Sequence, residues 1–348
     1  MPTTVRVCSC NGEWMNDWFT PGSGPAAFRP TFTRDGHTSN SAATAGRLAA
    51  ELRAIDADIV GMQEAPSRLE EMQLFIDQHL SDAGTPRYQF FLGDSGGAQK
   101  LALLYKPGAV TSAQLSPSTG LAELVDGWEA DVDGDSFLDL YQFTRQPLVV
   151  DLTFGTHLVQ FIVMHTKSNF VNQGEAMWNN PATHQNYIVA ALLSRRRNGT
   201  EGMRLRTYLD RKLGDNASTR LVVLGDLNDG PGLDYFEEKY LAHNVTDIIV
   251  GSAFKPEWVF THAQHDVPAA DRYSAVFDDF VTNEPNRKML LDHILLSPGF
   301  KGHGGGVKFV SGSGTIHHAE YAANTVNNGI NREDRPSDHR PVSVQIRF

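Results

Sequence analysis

Short runs of apolar residues recur along the chain, and stretches with apolar residues at helical spacing separate them. Residues 5–10 predict a strand, and residues 48–55 place apolar side chains on one helix face. In residues 342–348 every second residue is apolar, as in a half-buried strand. Further strands are predicted at 57–64, 88–93, 101–106, 148–154, 158–165, 220–225 and 289–297.

The predicted strands outnumber the predicted helices, and many strands are neighbours in sequence. This order predicts an α/β fold in which two packed, mostly antiparallel sheets are flanked by helices. Residues 182–213 look helical, in two helices. We expect one domain over residues 1–348, with long loop excursions near 20–38, 111–145, 168–180 and 253–288.

Composition narrows the class of protein. The chain has 348 residues, 41% hydrophobic and 20% charged, with a net charge of −11. That charge disfavours tight nonspecific binding of nucleic acid unless a local basic groove overrides it. No signal peptide or long apolar span is visible, so we expect a cytoplasmic protein, or a secreted one whose export signal has been removed. Cys8 and Cys10 alternate on one strand, which predicts reduced thiols. No protein partner is inferable.

Polar residues at the ends of predicted strands carry the candidate chemistry. Asp226 and Asn228 follow a buried strand and share one face by the period of two. Glu64, His165 and Lys167 end two other strands. Each residue alone fits a turn, a helix cap or a core position equally well. Their recurrence favours a site built from strand ends.

Three further polar positions join this pattern. Asp292 lies inside an apolar run, and a buried carboxylate without a partner costs several kcal/mol, on the order of 3–5. A histidine is a suitable partner. Asp338 and His339 precede the last strand, where they fit either a turn or a site, and Asn11 follows the first strand.

Taken in order, these motifs resemble the endonuclease/exonuclease/phosphatase family of DNase I-like and exonuclease III-like enzymes, and most closely its bacterial nuclease-like branch. The resemblance runs from residue 11 to 339 and implies a four-layer α/β sandwich. It also implies hydrolysis of a phosphoester by in-line attack of water, assisted by Mg²⁺ or Mn²⁺. The motifs are Asn11, Gln63–Glu64, His165, "GDLN" at 225–228, "LDHIL" at 291–295 and "SDH" at 337–339.

The resemblance implies a role for each residue. Glu64 is the expected metal ligand, supported by Asp338 and Asn11. Asp226 would orient or deprotonate the attacking water, and Asn228 would hydrogen-bond the phosphate.

The remaining polar positions would stabilise charge. Asp292 would fix and charge-stabilise His339. His165 would donate to a phosphoryl oxygen, and Lys167 would add electrostatic help. One position departs from the pattern: DNase I-like relatives pair the histidine matching His165 with a glutamate, and here the nearest residue is Gln99.

Several residues carry open alternatives. Arg145 fits either phosphate binding or a surface ion pair. The aromatic residues beside the motifs either rim the site, where they would contact substrate, or pack the long loops. These are Trp14, Trp18, Phe19, Phe170 and Trp178. The segment from Asp131 to Asp139 is similar to a calcium loop, although its glycine comes too early for an EF-hand, so an additional Ca²⁺ is one reading.

We therefore expect a phosphodiesterase or nuclease that acts on nucleic acid or a small phosphodiester. The alternatives are a phosphoesterase for small molecules or lipid head groups, and a catalytically inactive binding module. The retained acid, amide and histidine positions weigh against the last one.

Overall fold

The computed structural model describes residues 4–34, 36–241, 244–301 and 306–348. The helices are α1 (Ser41–Ile55), α2 (Leu69–His79), α3 (Ala122–Val125), α4 (Gly174–Asn179), α5 (His184–Asp215), α6 (Val245–Val250) and α7 (His318–Ala323). The strands are β1 (Thr4–Asn11), β2 (Thr31–Arg34), β3 (His37–Asn40), β4 (Ile59–Ala65), β5 (Ser81–Asp82), β6 (Thr85–Pro86), β7 (Gln89–Leu92), β8 (Lys100–Tyr105), β9 (Ser112–Leu115), β10 (Trp128–Ala130), β11 (Asp139–Tyr141), β12 (Leu148–Phe154), β13 (His157–His165), β14 (Leu221–Asp226), β15 (Thr261–His262), β16 (Ala275–Asp279), β17 (Glu284–Met289), β18 (Asp292–Leu296), β19 (Lys308–Phe309), β20 (Thr315–Ile316) and β21 (Val342–Arg347).

Two large sheets form a mixed α/β fold. The first has the order β19-β21-β1-β4-β8-β7, with β20 also paired to β21, and the second has the order β15-β18-β14-β13-β12-β9. Strands β1 and β4 are parallel, as are β13 and β14, while the other pairs in both sheets are antiparallel. The prediction of mostly antiparallel sheets agrees with this pairing.

Apolar side chains of the two sheets share one buried cluster, and two other clusters join each sheet to helices. The shared cluster includes Val7 and Ile59 from the first sheet and Phe161 and Leu224 from the second. A second cluster joins the first sheet to α1 and α2, and a third joins the second sheet to α5 and α6. Burial of these apolar faces is the main stabilising term, at roughly 25 cal/mol per Å² removed from water.

Strand register brings the polar strand ends together. In the second sheet, His165 pairs with Asp226, and Asp226 pairs with Asp292 on its other side. In the first sheet, Asn11 pairs with Gln63, the residue before Glu64. The site therefore lies where strand ends of the two sheets meet.

The predicted excursions contain short elements of their own. Segment 111–145 includes β9, which pairs with β12 in the second sheet, and segment 253–288 includes β15 and the β16–β17 hairpin. Residues 20–38 include β2 and part of β3, and residues 168–180 include α4. The prediction of two helices over 182–213 is wrong, because α5 is continuous from His184 to Asp215.

Two further expectations concern the cysteines and the membrane. Cys8 and Cys10 are buried free thiols, as predicted. Within the described residues, no helix combines the length and the apolar character that a membrane crossing requires.

Candidate active site

Asp226, the last residue of β14, lies at the centre of the site. It is buried, and its two carboxylate oxygens accept from different segments. Oδ2 accepts from Nδ2 of Asn11 at 3.1 Å, and Oδ1 accepts from the backbone N–H of Asn228 at 2.8 Å. Asn228 has a φ of 50°, which asparagine tolerates better than most residues. The turn that follows Asp226 therefore helps to fix its carboxylate.

Two histidines flank this carboxylate. Nε2 of His165 lies 3.5 Å from Oδ2 of Asp226, and Nε2 of His339 lies 3.9 Å from the same oxygen. The other ring nitrogen of His339, Nδ1, lies 2.6 Å from Oδ2 of Asp292. The contact proposed for the aspartate in the apolar strand is thus present.

Glu64 faces the same space from the first sheet. Its φ of 56° is unusual for a residue with a side chain, and the register of β4 against β8 shifts between Met62 and Ala65. Oε2 accepts from the backbone N–H of Trp14 at 2.7 Å, and Oε1 lies 3.9 Å from Nε2 of His165. Such backbone conformations persist only where surrounding contacts hold them, and they are common at functional sites.

The carboxylates of the site destabilise one another. Burial raises the pKa of Glu64 to about 7, and the nearby charges of Asp338 and Asp226 add to that shift. Burial also raises the pKa of Asp226 to about 6, although the charge of His339 opposes the shift. Asp338 is exposed, and its Oδ1 lies 4.0 Å from Nε2 of His339. A hard divalent cation stabilises carboxylate oxygens that repel one another. The carboxylates of Glu64, Asp226 and Asp338 therefore fit such an ion.

The two histidines carry opposite shifts. Burial lowers the pKa of His165 well below its usual value, and the positive charges of Arg145 and His339 lower it further. Burial also lowers the pKa of His339, but Asp292, Asp338 and Asp226 outweigh that effect and raise it well above the usual value. The surroundings thus favour the neutral form of His165 and the protonated form of His339.

Gln99 does not take over the role of the family glutamate in this structure. Its Oε1 accepts from Nε and Nη2 of Arg145 at 3.2 and 2.8 Å. Among the described residues, neither Nε2 of Gln99 nor Nδ1 of His165 has a hydrogen-bond partner. Arg145 also donates through Nη1 to the carbonyl oxygen of Thr166 at 3.0 Å. Its side chain is half-buried and links Gln99 to Thr166 by hydrogen bonds, so it is not a surface ion-pair residue.

Lys167 and Asn228 lie beside His165 and Asp226. Nζ of Lys167 donates to the carbonyl oxygen of Ser168 at 2.8 Å, and burial lowers the pKa of this lysine. Nδ2 of Asn228 donates to the carbonyl oxygen of Thr166 at 3.1 Å. An amide carries two hydrogens, so one remains for another acceptor.

The aromatic residues divide between the two alternatives. Trp18 and Phe19 are buried in the core cluster of the first sheet, so they pack the fold. The half-buried ring of Trp14 lies 3.9 Å from the guanidinium carbon of Arg34 in a cation–π contact. Trp178 packs against other rings, whereas Phe170 is 75% exposed.

The calcium-like segment forms a separate acidic cluster. Asp131, Asp133 and Asp135 each place a carboxylate oxygen within 4.8 Å of the others. Their oxygens accept from backbone N–H groups of the same loop, such as Gly134 at 2.6 Å. This local bonding accounts for the loop's shape, and a bound Ca²⁺ stays a prediction.

The sequence pattern missed two buried polar residues of α5. Asn198 donates through Nδ2 to the carbonyl oxygen of Leu227 at 3.1 Å, and Glu201 accepts from the backbone N–H of Lys167 at 2.9 Å. Both side chains are almost fully buried. The only signal in the sequence is that they lie three residues apart, and so share a helix face.

Several solved structures share the fold of this chain. A D. rerio TDP2 complexed with single strand DNA product has a TM-score of 0.54 and 13% identity, covering 100% of both chains. A D. rerio TDP2 humanized by 14 mutations gives a TM-score of 0.53 at 13% identity, with the same coverage. A truncated Caenorhabditis elegans TDP2 gives 0.52 at 13% identity and covers 99% of this chain and 98% of that chain. Comparison with curated proteins gives no match.

Sequence comparison gives the family directly. The sequence model described as "Endonuclease/Exonuclease/phosphatase family" matches residues 23–339, and the chain belongs to this family. The match includes every site residue above except Asn11 and Trp14. Members of this family are phosphoester hydrolases.

Proposed function

We propose that this protein is a divalent-metal-dependent phosphodiesterase, with its active site around Asp226. The observation that carries the proposal is the convergence of five strand ends. Glu64, His165 and Asp226 come from three of them, and the Asp292–His339 pair completes the set. We further infer one domain over residues 1–348 with the layer order helices, sheet, sheet, helices, which the three core clusters support.

Glu64 would hold the metal, with Asn11 and Asp338 in support. Mg²⁺ or Mn²⁺ is the preferred ion, because the donors are carboxylate and amide oxygens. When bound, such an ion offsets negative charge on phosphoryl oxygens. The mutual repulsion of the carboxylates supports this assignment.

The residues of the chain would divide the hydrolysis among them. Asp226 orients a water molecule and accepts its proton while the water oxygen bonds to phosphorus and the bond to the leaving oxygen breaks. His165, with a neutral ring, donates an N–H to a phosphoryl oxygen, and the free amide hydrogen of Asn228 does the same. His339, held by Asp292, adds positive charge where negative charge accumulates.

Nucleic acid is the first substrate candidate, and a small phosphodiester or lipid head group is the second. The D. rerio TDP2 neighbour with a single strand DNA product motivates the first. The net charge of −11 favours the second, because an acidic protein repels a polyanion on average. The exposed ring of Phe170, three residues beyond Lys167, suits either a nucleobase or an apolar leaving group.

A substrate panel tests the proposal. The purified protein would be incubated with Mg²⁺, Mn²⁺ or EDTA and with bis-p-nitrophenyl phosphate, p-nitrophenyl phosphate, plasmid, single-stranded DNA or RNA. We expect diester hydrolysis that needs the metal and is lost in Asp226→Ala and His339→Ala. Activity that survives EDTA and both substitutions contradicts the mechanism. Cleavage of the small diester while plasmid, single-stranded DNA and RNA all stay intact rules out a nuclease.

A further inference from the structure

We propose that Asn198 and Glu201 of α5 are positioning residues that hold the two active-site loops, residues 165–167 and 226–228, in their working geometry. This inference rests on the function proposed above and deepens it. Each side chain hydrogen-bonds a backbone group beside the candidate catalytic residues. Both act on the backbone that carries them.

The loop after His165 is held from several sides. Glu201 Oε2 accepts from the backbone N–H of Lys167 at 2.9 Å. The preceding carbonyl oxygen, that of Thr166, accepts from Nη1 of Arg145 at 3.0 Å and from Nδ2 of Asn228 at 3.1 Å. Both polar groups around the peptide bond between residues 166 and 167 are therefore bonded.

The loop after Asp226 is held by the same helix. The carbonyl oxygen of Leu227, between Asp226 and Asn228, accepts from Nδ2 of Asn198 at 3.1 Å and from the hydroxyl of Thr166 at 2.5 Å. Since Asn198 and Glu201 lie three residues apart on α5, one helix face fixes both loops in relation to each other.

Glu201 also ties a third segment to this helix face. Its Oε1 accepts from the backbone N–H of Thr144 at 2.8 Å and from the hydroxyl of Tyr141 at 3.2 Å. Arg145 follows Thr144, and its guanidinium donates to the carbonyl oxygen of Thr166 and to Oε1 of Gln99. One fully buried carboxylate thus anchors both Lys167 and the arginine segment.

The orientation of His165 makes this anchoring consequential. Its Nδ1 has no hydrogen-bond partner among the described residues, so no hydrogen bond at that nitrogen orients the ring. The position of the ring relative to Asp226 therefore depends more strongly on the backbone of residues 165–167. A misplacement of about 1 Å is enough to slow a reaction on the order of 100-fold.

Burial of the Asn198 and Glu201 side chains is unfavourable unless they form hydrogen bonds. A buried carboxylate or amide loses its hydration, and only hydrogen bonds compensate for that loss. Glu201 accepts from three donors, one of them in the loop after His165. Nδ2 of Asn198 donates into the loop after Asp226, while its Oδ1 has no partner among the described residues.

The test uses near-isosteric variants. Glu201→Gln keeps the size of the side chain but replaces one acceptor by an N–H group, and Asn198→Leu removes the donor. Tyr141→Phe removes one of the three donors to Glu201 and serves if either of the other two variants does not fold. Glu238→Gln, on the exposed surface, is the matched control.

Two measurements are made at a temperature well below the melting point of every variant. The first is steady-state hydrolysis of bis-p-nitrophenyl phosphate, for which we expect kcat to fall about 10-fold or more in Glu201→Gln and Asn198→Leu while KM changes less than about twofold. Tyr141→Phe should show a smaller decrease in kcat. The second is amide hydrogen exchange, which should accelerate in segments 165–168 and 226–229 and stay unchanged in the control.

The outcomes separate this inference from the proposed function. Folded variants with wild-type kcat, or with unchanged exchange in both segments, overturn the positioning role. If the wild-type protein hydrolyses no phosphoester, the proposed function fails, and the exchange data alone then decide whether α5 holds the loops.

Discussion

Nδ1 of His339 lies 2.6 Å from Oδ2 of Asp292, and the two residues belong to segments of different sheets. Asp292 is the first residue of β18 in the second sheet, whereas His339 precedes β21 of the first. Asp292 is completely buried, and its Oδ1 has no hydrogen-bond partner among the described residues. The pair therefore gives the carboxylate its counter-charge and orients the ring toward Asp226.

The substitution Asp292→Asn should reduce kcat about 100-fold, because a neutral amide leaves His339 without its charge partner. KM should change little, since Asp292 does not face the substrate. Steady-state hydrolysis of bis-p-nitrophenyl phosphate with saturating Mn²⁺ measures both constants. Asp126→Asn, an exposed aspartate, is the control. A decrease in kcat below about threefold would contradict the assigned role of the pair.

The substitution Glu64→Gln should raise the Mg²⁺ or Mn²⁺ concentration needed for half-maximal activity by about 10-fold or more, because removal of a ligand typically weakens metal binding at least that much. A titration of activity against metal concentration gives this value, and calorimetry of metal binding gives an independent one. Glu70→Gln, at an exposed position of α2, should behave as wild type. An unchanged metal requirement would show that Glu64 is not a ligand.

The strand ends were predictable from sequence because polar residues stand out after apolar runs. Asp226 and His165 are such residues, and the register of β13 and β14 places them side by side. Asn198 and Glu201 were not predictable, because a polar stretch such as "RRRNGTEGM" has the composition of a solvated helix face. Only the tertiary packing of α5 shows that these two side chains are buried.

Short strands escaped prediction for a different reason. β9 has four residues and β15 has two, which is too little for a period of two to stand out from chance. Their pairing with β12 and β18 depends on the neighbouring strands and not on their own sequence. This is why segments 111–145 and 253–288 were expected to be excursions.

Glu51 should make the free energy of unfolding depend on pH. Both of its carboxylate oxygens lack a hydrogen-bond partner among the described residues. Burial and the charge of Glu320 raise its pKa well above the usual value, although Arg332 and Arg340 oppose the shift. The unfolded chain releases the proton above pH ~4.5, while the folded protein retains it. Stability attributable to this group should therefore fall as pH rises, by at most about 1.4 kcal/mol per unit.

The substitution Glu51→Gln should abolish that slope, so that the stability of the variant relative to wild type rises with pH. Urea denaturation at pH 5, 6.5 and 8 measures the difference from wild type. The gain should be small at pH 5 and largest at pH 8. Glu70→Gln again provides the exposed comparison. A gain that is equal at all three pH values would exclude titration of Glu51 as the cause.

Phe170 offers a test of the substrate class. Its ring is 75% exposed, and it follows Asn169, whose Nδ2 donates to the carbonyl oxygen of Asn228 at 3.0 Å. If the substrate is single-stranded nucleic acid, Phe170→Ala should raise KM about fivefold or more, since stacking is worth roughly 1–3 kcal/mol per base. An oligonucleotide that lacks bases should show no change. Phe254→Ala removes another exposed ring, one that follows α6, and should leave KM unaltered. Equal KM values for wild type and Phe170→Ala on the oligonucleotide would remove this ring from the binding surface and favour the small-diester substrate.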